Sequence, residues 1–429
     1  MMNNKLHSIF EYQEIKWCEF YNSSKIKNNL TKLEKQGFKP FSYTASGIKS
    51  RQYVGVISLA GEVIQVLPKI FDQNSKPDNK INIKGLMYLL SITKKLKISE
   101  TDISKLSKKI DNLLEVFIYL FAINLFELLN NDFQRNYVHQ SDNLKYVKGK
   151  INFTNHIKNN YIDKSKFYCD YDEYEDNILL NQILKATVNK CIKFSKSNFQ
   201  VLQKCDQLLI NVEDKNFVNP NICKPIKFTR RNQHYQYIFE LAKLLLFGNS
   251  PLLTSDDTAT FSIMFDMNKL FEEYVYEIIK QHSNELNIVE ISSQSTQENI
   301  FDSGSSYNFA MKPDIFIKTK DCKKIIIDTK YKRIDTIKSE YNSNQKGISQ
   351  SDIYQMFAYS QYYGTYKNIL LYPKYSSLKD NEFSSSSDDL NLKKPKFNLK
   401  VSFLDFTLTD GVKFDDYISG LFNNLKKLL

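Results

Sequence analysis

Two short apolar runs in the last third of the chain carry acidic residues where paired strands would bring them together. Asp314 opens the first run, and Asp328 and Lys330 close the second. If the polar stretch 319–323 is a hairpin turn centred on Asp321, Asp314 lies directly opposite Asp328. Carboxylates about 5 Å apart repel each other, and Mg²⁺, which binds through one or two carboxylates, would remove that repulsion. The spacing therefore favours a magnesium site on Asp314 and Asp328.

Lys330 adds a positive charge to the same place. It lies two residues beyond Asp328, and the two-residue period of a strand puts both side chains on one face. An ammonium there would orient an attacking water or stabilise the charge that develops on phosphorus. The chemistry that this group favours is hydrolysis of a phosphodiester.

Two predicted helices supply further polar residues. Glu272 flanks the apolar stripe of a helix expected over 268–280, and we take it as an auxiliary carboxylate. Gln355 and Tyr359 are four residues apart in a helix expected over 352–363, so they share one helical face. This pair presents an amide and a phenol to whatever lies beneath that face.

Each of these residues also has a simpler explanation. Asp328 and Lys330 are compatible with an ion pair on a solvated strand face. Asp352 and Gln355 fit a capping box, in which the glutamine only satisfies a helix end. Glu272 alone is typical of a surface glutamate. None of these explanations accounts for all the residues occurring together, in this order along the chain.

The elements that must position these residues form three predicted parts of a mixed α/β protein. Residues 1–110 contain a β-hairpin at 53–68 around Ala60-Gly61, followed by a polar segment, 72–84, that we expect to be a loop. Residues 111–255 have helical periodicity with one strand-like piece at 147–153, and 256–429 alternate helices and strands. Polar segments 292–307, 336–351 and 376–396 are expected to be exposed loops.

Composition excludes several classes of protein. The 429 residues are 42% hydrophobic, which is enough for sizeable cores, and the six cysteines form no CxxC pair, so neither a zinc site nor a disulfide framework is indicated. The net charge is +11, and residues 1–110 hold 19 Lys/Arg against 9 Asp/Glu, a net of +10. Only five basic residues are Arg, so this basicity is weak evidence for DNA contact. The absence of a GxxxxGK[ST] motif means that the chain is not itself a P-loop motor.

The order helix-Glu, Pro313-Asp314, Asp328-Thr329-Lys330 and Gln355-to-Tyr359 resembles the PD-(D/E)xK nuclease superfamily, with the QxxxY motif of its RecB-like branch. The following stretches are similar to McrC, the nuclease subunits of McrBC modified-cytosine restriction systems: GVISLAGEVIQVLPKI (55–70), VKGKINFTNHI (147–157), YDEYEDNILLNQILKA (171–186), MNKLFEEYVYEII (267–279) and SDIYQMFAY (351–359). They sample nearly the whole chain.

This resemblance implies a function and a partner. It implies cleavage of double-stranded DNA with Mg²⁺, or Mn²⁺ as a substitute, and dependence on McrB, a hexameric AAA+ GTPase. Gln355 and Tyr359 are then expected to contact the metal-binding residues or the DNA backbone. It also implies that the N-terminal region, 1–110, docks the GTPase and that 256–429 form a restriction-endonuclease-like domain. We expect a cytoplasmic protein with no membrane partner. Two alternatives stay open: a free-standing RecB-like repair nuclease, and a non-catalytic assembly factor that activates a GTPase.

Overall fold

The computed structural model describes most of the chain. The described residues are 5–71, 78–96, 98, 112–248, 261–293, 298–299, 310–332, 348–365, 367–374, 381–385, 397–408 and 412–429. They form a mixed α/β fold, as expected from the sequence.

The helices are α1 (Ser23–Lys35), α2 (Asn79–Ile92), α3 (Leu113–Asn131), α4 (Phe153–Asn160), α5 (Leu179–Phe194), α6 (Phe199–Leu208), α7 (Tyr235–Phe247), α8 (Met267–Gln281), α9 (Gln350–Tyr363) and α10 (Phe414–Leu428). The strands are β1 (Leu6–Phe10), β2 (Glu14–Lys16), β3 (Phe41–Tyr43), β4 (Gly47–Ser50), β5 (Tyr53–Leu59), β6 (Glu62–Leu67), β7 (Asn136–Leu144), β8 (Lys150–Ile151), β9 (Phe167–Glu175), β10 (Ser262–Asp266), β11 (Ile288–Ser293), β12 (Glu298–Asn299), β13 (Ala310–Met311), β14 (Ile315–Thr319), β15 (Lys324–Thr329), β16 (Lys367–Pro373), β17 (Asn381–Ser385) and β18 (Phe397–Leu404).

A six-stranded mixed sheet in the order β11-β14-β15-β16-β18-β17 holds the predicted chemical residues. Its two faces bury alternate residues of each strand, as the pleat requires. Ile325 and Ile327 belong to the core that also contains the apolar faces of α8 and α10. Ile326 belongs to a separate core with Met356 and Tyr359 of α9. The sheet is therefore buried between helices, and α9 lies on the opposite face from α8.

The predicted hairpin register is confirmed. Strands β14 and β15 pair antiparallel with Ile315 opposite Ile327 and Ile317 opposite Ile325. One further step along this ladder puts Asp314 opposite Asp328, as predicted. Strand β15 then pairs in parallel with β16, which places Asp328 beside Leu370 in the middle of the sheet.

The N-terminal hairpin predicted at 53–68 is also confirmed. Leu59 pairs with Glu62 across a two-residue turn in which Ala60 and Gly61 have φ values of 51° and 83°. Positive φ at both turn residues gives the backbone twist that a tight hairpin needs. The sheet that contains this hairpin has the order β1-β6-β5-β10. Its edge strand β10 comes from the part of the chain that the boundary at 256 assigns to the predicted nuclease domain.

The prediction of a loop over 72–84 is wrong for its second half, which belongs to a helix. Helix α2 begins at Asn79, where the side chain of Asp78 accepts a hydrogen bond from the Lys80 backbone N–H as a cap. Asn82 is fully buried in this helix, so a polar sequence here reflects capping rather than exposure. Residues 72–77 lie outside the described part of the chain.

The middle region is less helical than predicted. A three-stranded antiparallel sheet in the order β7-β9-β8, with α4 beside it, occupies residues 136–175, which we call the polar arm. Its strands bury few side chains: Tyr137 is 69% exposed and Tyr174 is 57% exposed. Without a buried face, the strands lack the apolar alternation from which strands are recognised in a sequence.

Helix α3 is the one described helix with the length and apolar composition to cross a membrane, and 61% of its most apolar window is buried inside the protein. The carboxylate of Glu115 in this helix accepts hydrogen bonds from Ser195, the Lys196 backbone N–H and Asn198. Such contacts are typical of a core helix.

The helices predicted over 268–280 and 352–363 agree with α8 and α9 to within two residues. Helix α7 ends at Gly248 with φ 74°, and α9 ends at Gly364 in the left-handed conformation. The segments expected to be loops contain short strands, since β12 and β17 lie within 292–307 and 376–396. Most of the other residues of these segments lie outside the described part.

Candidate active site

Asp328 is a charged residue in the interior of the protein. Its exposure is 0%, and it lies on the face of β15 that α9 covers. Neither carboxylate oxygen has a hydrogen-bond partner of good geometry among the described residues. Buried carboxylates without such partners are costly, so this position is unfavourable unless a cation lies beside it.

Asp314 is held in place by the backbone of the partner strand. Its Oδ2 accepts hydrogen bonds from the Thr329 backbone N–H at 2.7 Å and from the Thr329 hydroxyl at 2.8 Å. These two bonds fix the carboxylate at the end of the hairpin, beside Asp328. The two aspartates are therefore brought together as the register requires.

Lys330 supplies the cation that faces the buried carboxylate. Its Nζ is 2.6 Å from Asp328 Oδ2 and also donates to Gln355 Oε1 at 3.2 Å. The Asp328 side chain is 1% exposed, so the simpler explanation, an ion pair on a solvated strand face, does not apply. This pair is desolvated, and its electrostatic interaction is correspondingly stronger.

Gln355 and Tyr359 form a hydrogen-bonded chain with a defined direction. The Tyr359 hydroxyl is 2.8 Å from the Lys312 carbonyl oxygen, which can only accept, so the hydroxyl must donate there. It therefore accepts from Gln355 Nε2, also at 2.8 Å. This fixes the amide with Oε1 toward Lys330 and explains why a phenol is needed four residues after the glutamine.

The capping-box explanation for Gln355 is not supported. Helix α9 begins at Gln350, two residues earlier than expected, with Ser349 as its N-cap residue. The side chain of Gln355 instead bonds Lys330 and Tyr359. Gln355 is therefore part of the polar group around Asp328.

The charges of this group shift its pKa values in opposing ways. Burial, and next the charge of Asp314, raise the pKa of Asp328 to about 7, while Lys330 opposes the shift. Burial alone would lower the pKa of Lys330, but the neighbouring aspartates outweigh it and raise that pKa. A divalent cation between the carboxylates would favour their charged forms.

Asp352 is a residue of this neighbourhood that the sequence analysis treated only as a possible cap. It is buried, and its Oδ2 lies 3.3 Å from both Lys332 Nζ and the Tyr372 hydroxyl. Its charge also acts on Asp328. The sequence feature that could have identified Asp352 was its spacing, because it shares one helical face with Gln355, Met356 and Tyr359.

Glu272 lies on α8, the helix that covers the opposite face of the sheet from α9. It is partly exposed and makes an interaction of its own. Among the described residues, no group of three or more His, Cys, Asp or Glu side chains is arranged to hold a metal. The role of Glu272 as an auxiliary carboxylate stays a prediction.

The sequence matches a known family over most of its length. Residues 48–373 match the family described as McrBC 5-methylcytosine restriction system component. A curated relative from Escherichia coli (strain K12), the type IV methyl-directed restriction enzyme EcoKMcrBC, is 20% identical over 254 residues, which are 58% of this chain and 72% of the relative.

Solved structures have the same fold. A chain in the refined half-complex from a tetradecameric assembly of Thermococcus gammatolerans McrB AAA+ hexamers with bound McrC has a TM-score of 0.74 at 22% identity, covering 98% of this chain and 100% of that one. A chain in the cryo-EM structure of the Thermococcus gammatolerans McrBC complex has a TM-score of 0.54 at 25% identity, covering 65% and 88%. The resemblance to McrC-type proteins is confirmed. Since the family match spans well over half of the chain, this protein belongs to the family of McrBC 5-methylcytosine restriction system components.

Proposed function

We propose that this protein is the Mg²⁺-dependent endonuclease subunit of an McrBC-type restriction system. In this proposal it hydrolyses phosphodiester bonds of double-stranded DNA that contains modified cytosine, when assembled with an AAA+ GTPase. Its C-terminal sheet and helices would then be a PD-(D/E)xK nuclease domain.

One observation carries the proposal. Asp328 is fully buried opposite Asp314, and the ammonium group of Lys330 is 2.6 Å away. A structural ion pair needs only one of these acids, and the second makes the site unfavourable in the absence of a further cation. Strained or unfavourable electrostatics of this kind are typical of functional sites.

The residues fit a magnesium ion. Asp328 has two buried carboxylate oxygens without good hydrogen bonds among the described residues, and Asp314 is oriented beside it through only one of its oxygens by Thr329. Asp314 and Asp328 would hold the ion, which matches the one or two carboxylates that Mg²⁺ takes from proteins. When bound, Mg²⁺ would supply Lewis-acid stabilisation of negative charge on the scissile phosphate.

The remaining residues position charge around the substrate. Lys330 would stabilise the charge that develops on phosphorus or orient the attacking water. Gln355 holds the Lys330 ammonium through its Oε1, and Tyr359 holds Gln355 in that orientation. Because these side chains are already hydrogen-bonded, little reorganisation is needed during the reaction.

The partner proposal comes from the relatives. The matched solved assemblies contain McrB AAA+ hexamers together with McrC, and we propose that this chain binds a GTPase ring of that kind. We assign docking to residues 1–110 and the nuclease to 256–429.

The test is DNA cleavage by the reconstituted complex with Mg²⁺, GTP and methylated duplex DNA. We expect Asp328→Asn to lower the cleavage rate at least about a thousandfold, while GTP hydrolysis by the partner and assembly with it stay unchanged. Asp321→Asn, in the exposed turn of the same hairpin, is the matched control and should cut at the wild-type rate.

Other outcomes identify the alternatives. Cleavage by Asp328→Asn at the wild-type rate would refute the catalytic assignment. Robust cleavage by the purified chain without GTPase would favour a free-standing nuclease. Normal stimulation of the GTPase without any cleavage by the wild-type complex would favour an assembly factor.

A further inference from the structure

The strand end that carries Asp328 and Lys330 is fixed from a second side. The chain continues from β15 through Tyr331, whose side chain lies in the core on the α8 face, whereas the Lys330 side chain bonds Gln355 of α9 on the other face. The Lys330 backbone N–H donates to the Leu371 carbonyl at 2.9 Å, so this part still follows the ladder with β16. The direction of Lys330 therefore depends on what holds Tyr331.

Tyr331 is held by its ring and by its hydroxyl. The residue is 5% exposed, and its ring packs against that of Phe271 in α8 with centroids 5.8 Å apart. Its hydroxyl donates to Glu11 Oε2 at 2.7 Å. Glu11 lies 320 residues earlier in the chain, directly after β1.

Glu11 is itself rigidly placed in the N-terminal sheet. Its backbone N–H donates to the Leu67 carbonyl at 3.1 Å, which extends the parallel ladder of β1 and β6 by one residue. Its side chain is buried, and Oε1 has no hydrogen bond of good geometry among the described residues, although the Lys69 backbone N–H favours the charged form of this carboxyl. Burial raises the pKa of this carboxyl to about 8. A buried acid with one incompletely satisfied oxygen is unfavourable for stability alone.

We propose that Glu11 is a positioning residue for the nuclease: through the Tyr331 hydroxyl it fixes the end of β15 and thereby the direction of Lys330. This inference rests on the proposed function and extends it to the N-terminal sheet. The bond joins the sheet of the predicted docking region to the strand that carries Asp328. Lys330 faces α9 and Tyr331 faces α8, so loss of the Glu11 contact frees the chain to rotate at the residue next to the reacting group.

The experiment measures cleavage kinetics of the full complex with partner, GTP, Mg²⁺ and methylated duplex DNA. Tyr331→Phe removes only the hydroxyl, and Glu11→Leu removes the acceptor. We expect each to lower kcat about tenfold with an unchanged KM for DNA. Glu11→Gln keeps an oxygen that accepts from the phenol, and it should retain the wild-type rate. The double variant Tyr331→Phe/Glu11→Leu should be no slower than either single variant, because both remove one interaction.

Tyr235→Phe is the control for loss of a buried hydroxyl. That hydroxyl bonds the Asp132 carbonyl and the Gln134 backbone N–H in the middle region, and its loss should leave kcat unchanged. If Glu11→Leu does not fold, Tyr331→Phe decides alone, at temperatures below its unfolding midpoint. Wild-type kcat in Tyr331→Phe would overturn the inference while leaving the proposed function intact. A wild-type complex that does not cut, or equal cutting by Asp328→Asn, would instead overturn the proposed function and this inference with it.

Discussion

The end of β15 and the polar arm both place lysines beside acids, but in opposite surroundings. Lys330 and Asp328 are 2.6 Å apart with side chains 18% and 1% exposed. In the arm, Lys148 and Glu173 are 3.0 Å apart with side chains 35% and 43% exposed. Water screens the second pair and leaves the first almost unscreened. The contrast teaches that burial, rather than charge pairing itself, distinguishes the proposed catalytic group from an ordinary surface ion pair in this protein.

The largest difference between the two regions is expected when each lysine is replaced by methionine. We expect Lys330→Met to reduce DNA cleavage by the complex at least about a hundredfold, because a preorganised cation near the phosphate is lost. Lys148→Met should leave the fold and the unfolding temperature of the chain unchanged, because an exposed ion pair contributes little. Cleavage assays and thermal unfolding of both variants check this comparison. Equal cleavage rates for Lys330→Met and wild type would contradict the proposed role of Lys330.

The pH dependence of stability should have opposite signs for buried and exposed acids. The pKa of Glu11 is raised from 4.5 to about 8 in the folded state by burial. The folded state therefore holds its proton where the unfolded state has lost it, so stability falls as pH rises from about 4.5 to about 8, by up to about 1.4 kcal/mol per unit. Burial raises the pKa of the neighbouring Tyr12 above its ordinary value of 10, so that this phenol stays neutral over this range.

Asp170 of the arm should act in the other direction. Its pKa is lowered, first by the hydrogen bond from Ser141, so its contribution is present above the unfolded pKa and is lost as pH falls below it. Chemical denaturation between about pH 2 and pH 9 measures both effects, because the Asp170 contribution is lost only below the unfolded pKa of about 3.9. Glu11→Gln should flatten the slope between pH 4.5 and 8, and an unchanged slope would show that Glu11 is not the responsible group.

The smallest expected effect is on the stability of the metal-free chain. Asp328→Asn removes one of two apposed carboxylates from the interior, so we expect an unfolding free energy equal to that of wild type or higher by about 1 kcal/mol. Asp170→Asn keeps one of the two oxygens that accept hydrogen bonds from Ser141 and Asn152 and replaces the other with a donor, and it should instead lower the unfolding temperature slightly. Denaturant titration of both variants in EDTA checks the signs. A clearly destabilised Asp328→Asn would mean that the aspartate serves the fold.

The grouping of the candidate site residues was predictable because it depends on the two-residue period of a strand and the four-residue spacing of a helix. The hairpin register followed from the polar turn around Asp321, and strand and helix periods grouped Asp328 with Lys330 and Gln355 with Tyr359. In the structure the Lys330–Gln355 hydrogen bond joins the strand pair to the helix pair. This last contact depends on how α9 packs on the sheet, which no local pattern contains.

The strands, helix start and long-range contact that the sequence analysis missed were missed for physical reasons as well. The strands of the polar arm bury few side chains, so their sequence carries no alternation of apolar residues. The polar start of α2 satisfies its backbone through Asp78 and therefore resembles a loop. Glu11 and Tyr331 meet only because two distant sheets pack together, and neither residue has a neighbour in the sequence that suggests the contact.

The most direct test of the account is the location of a divalent cation. Crystals of the chain soaked in Mn²⁺ should show an anomalous scattering peak beside the carboxylates of Asp314 and Asp328. The peak should be absent from Asp328→Asn crystals and present in Asp321→Asn crystals. Well-folded wild-type crystals without a peak at these acids, or an equal peak in Asp328→Asn, would contradict the claim that this pair is the metal site of a nuclease.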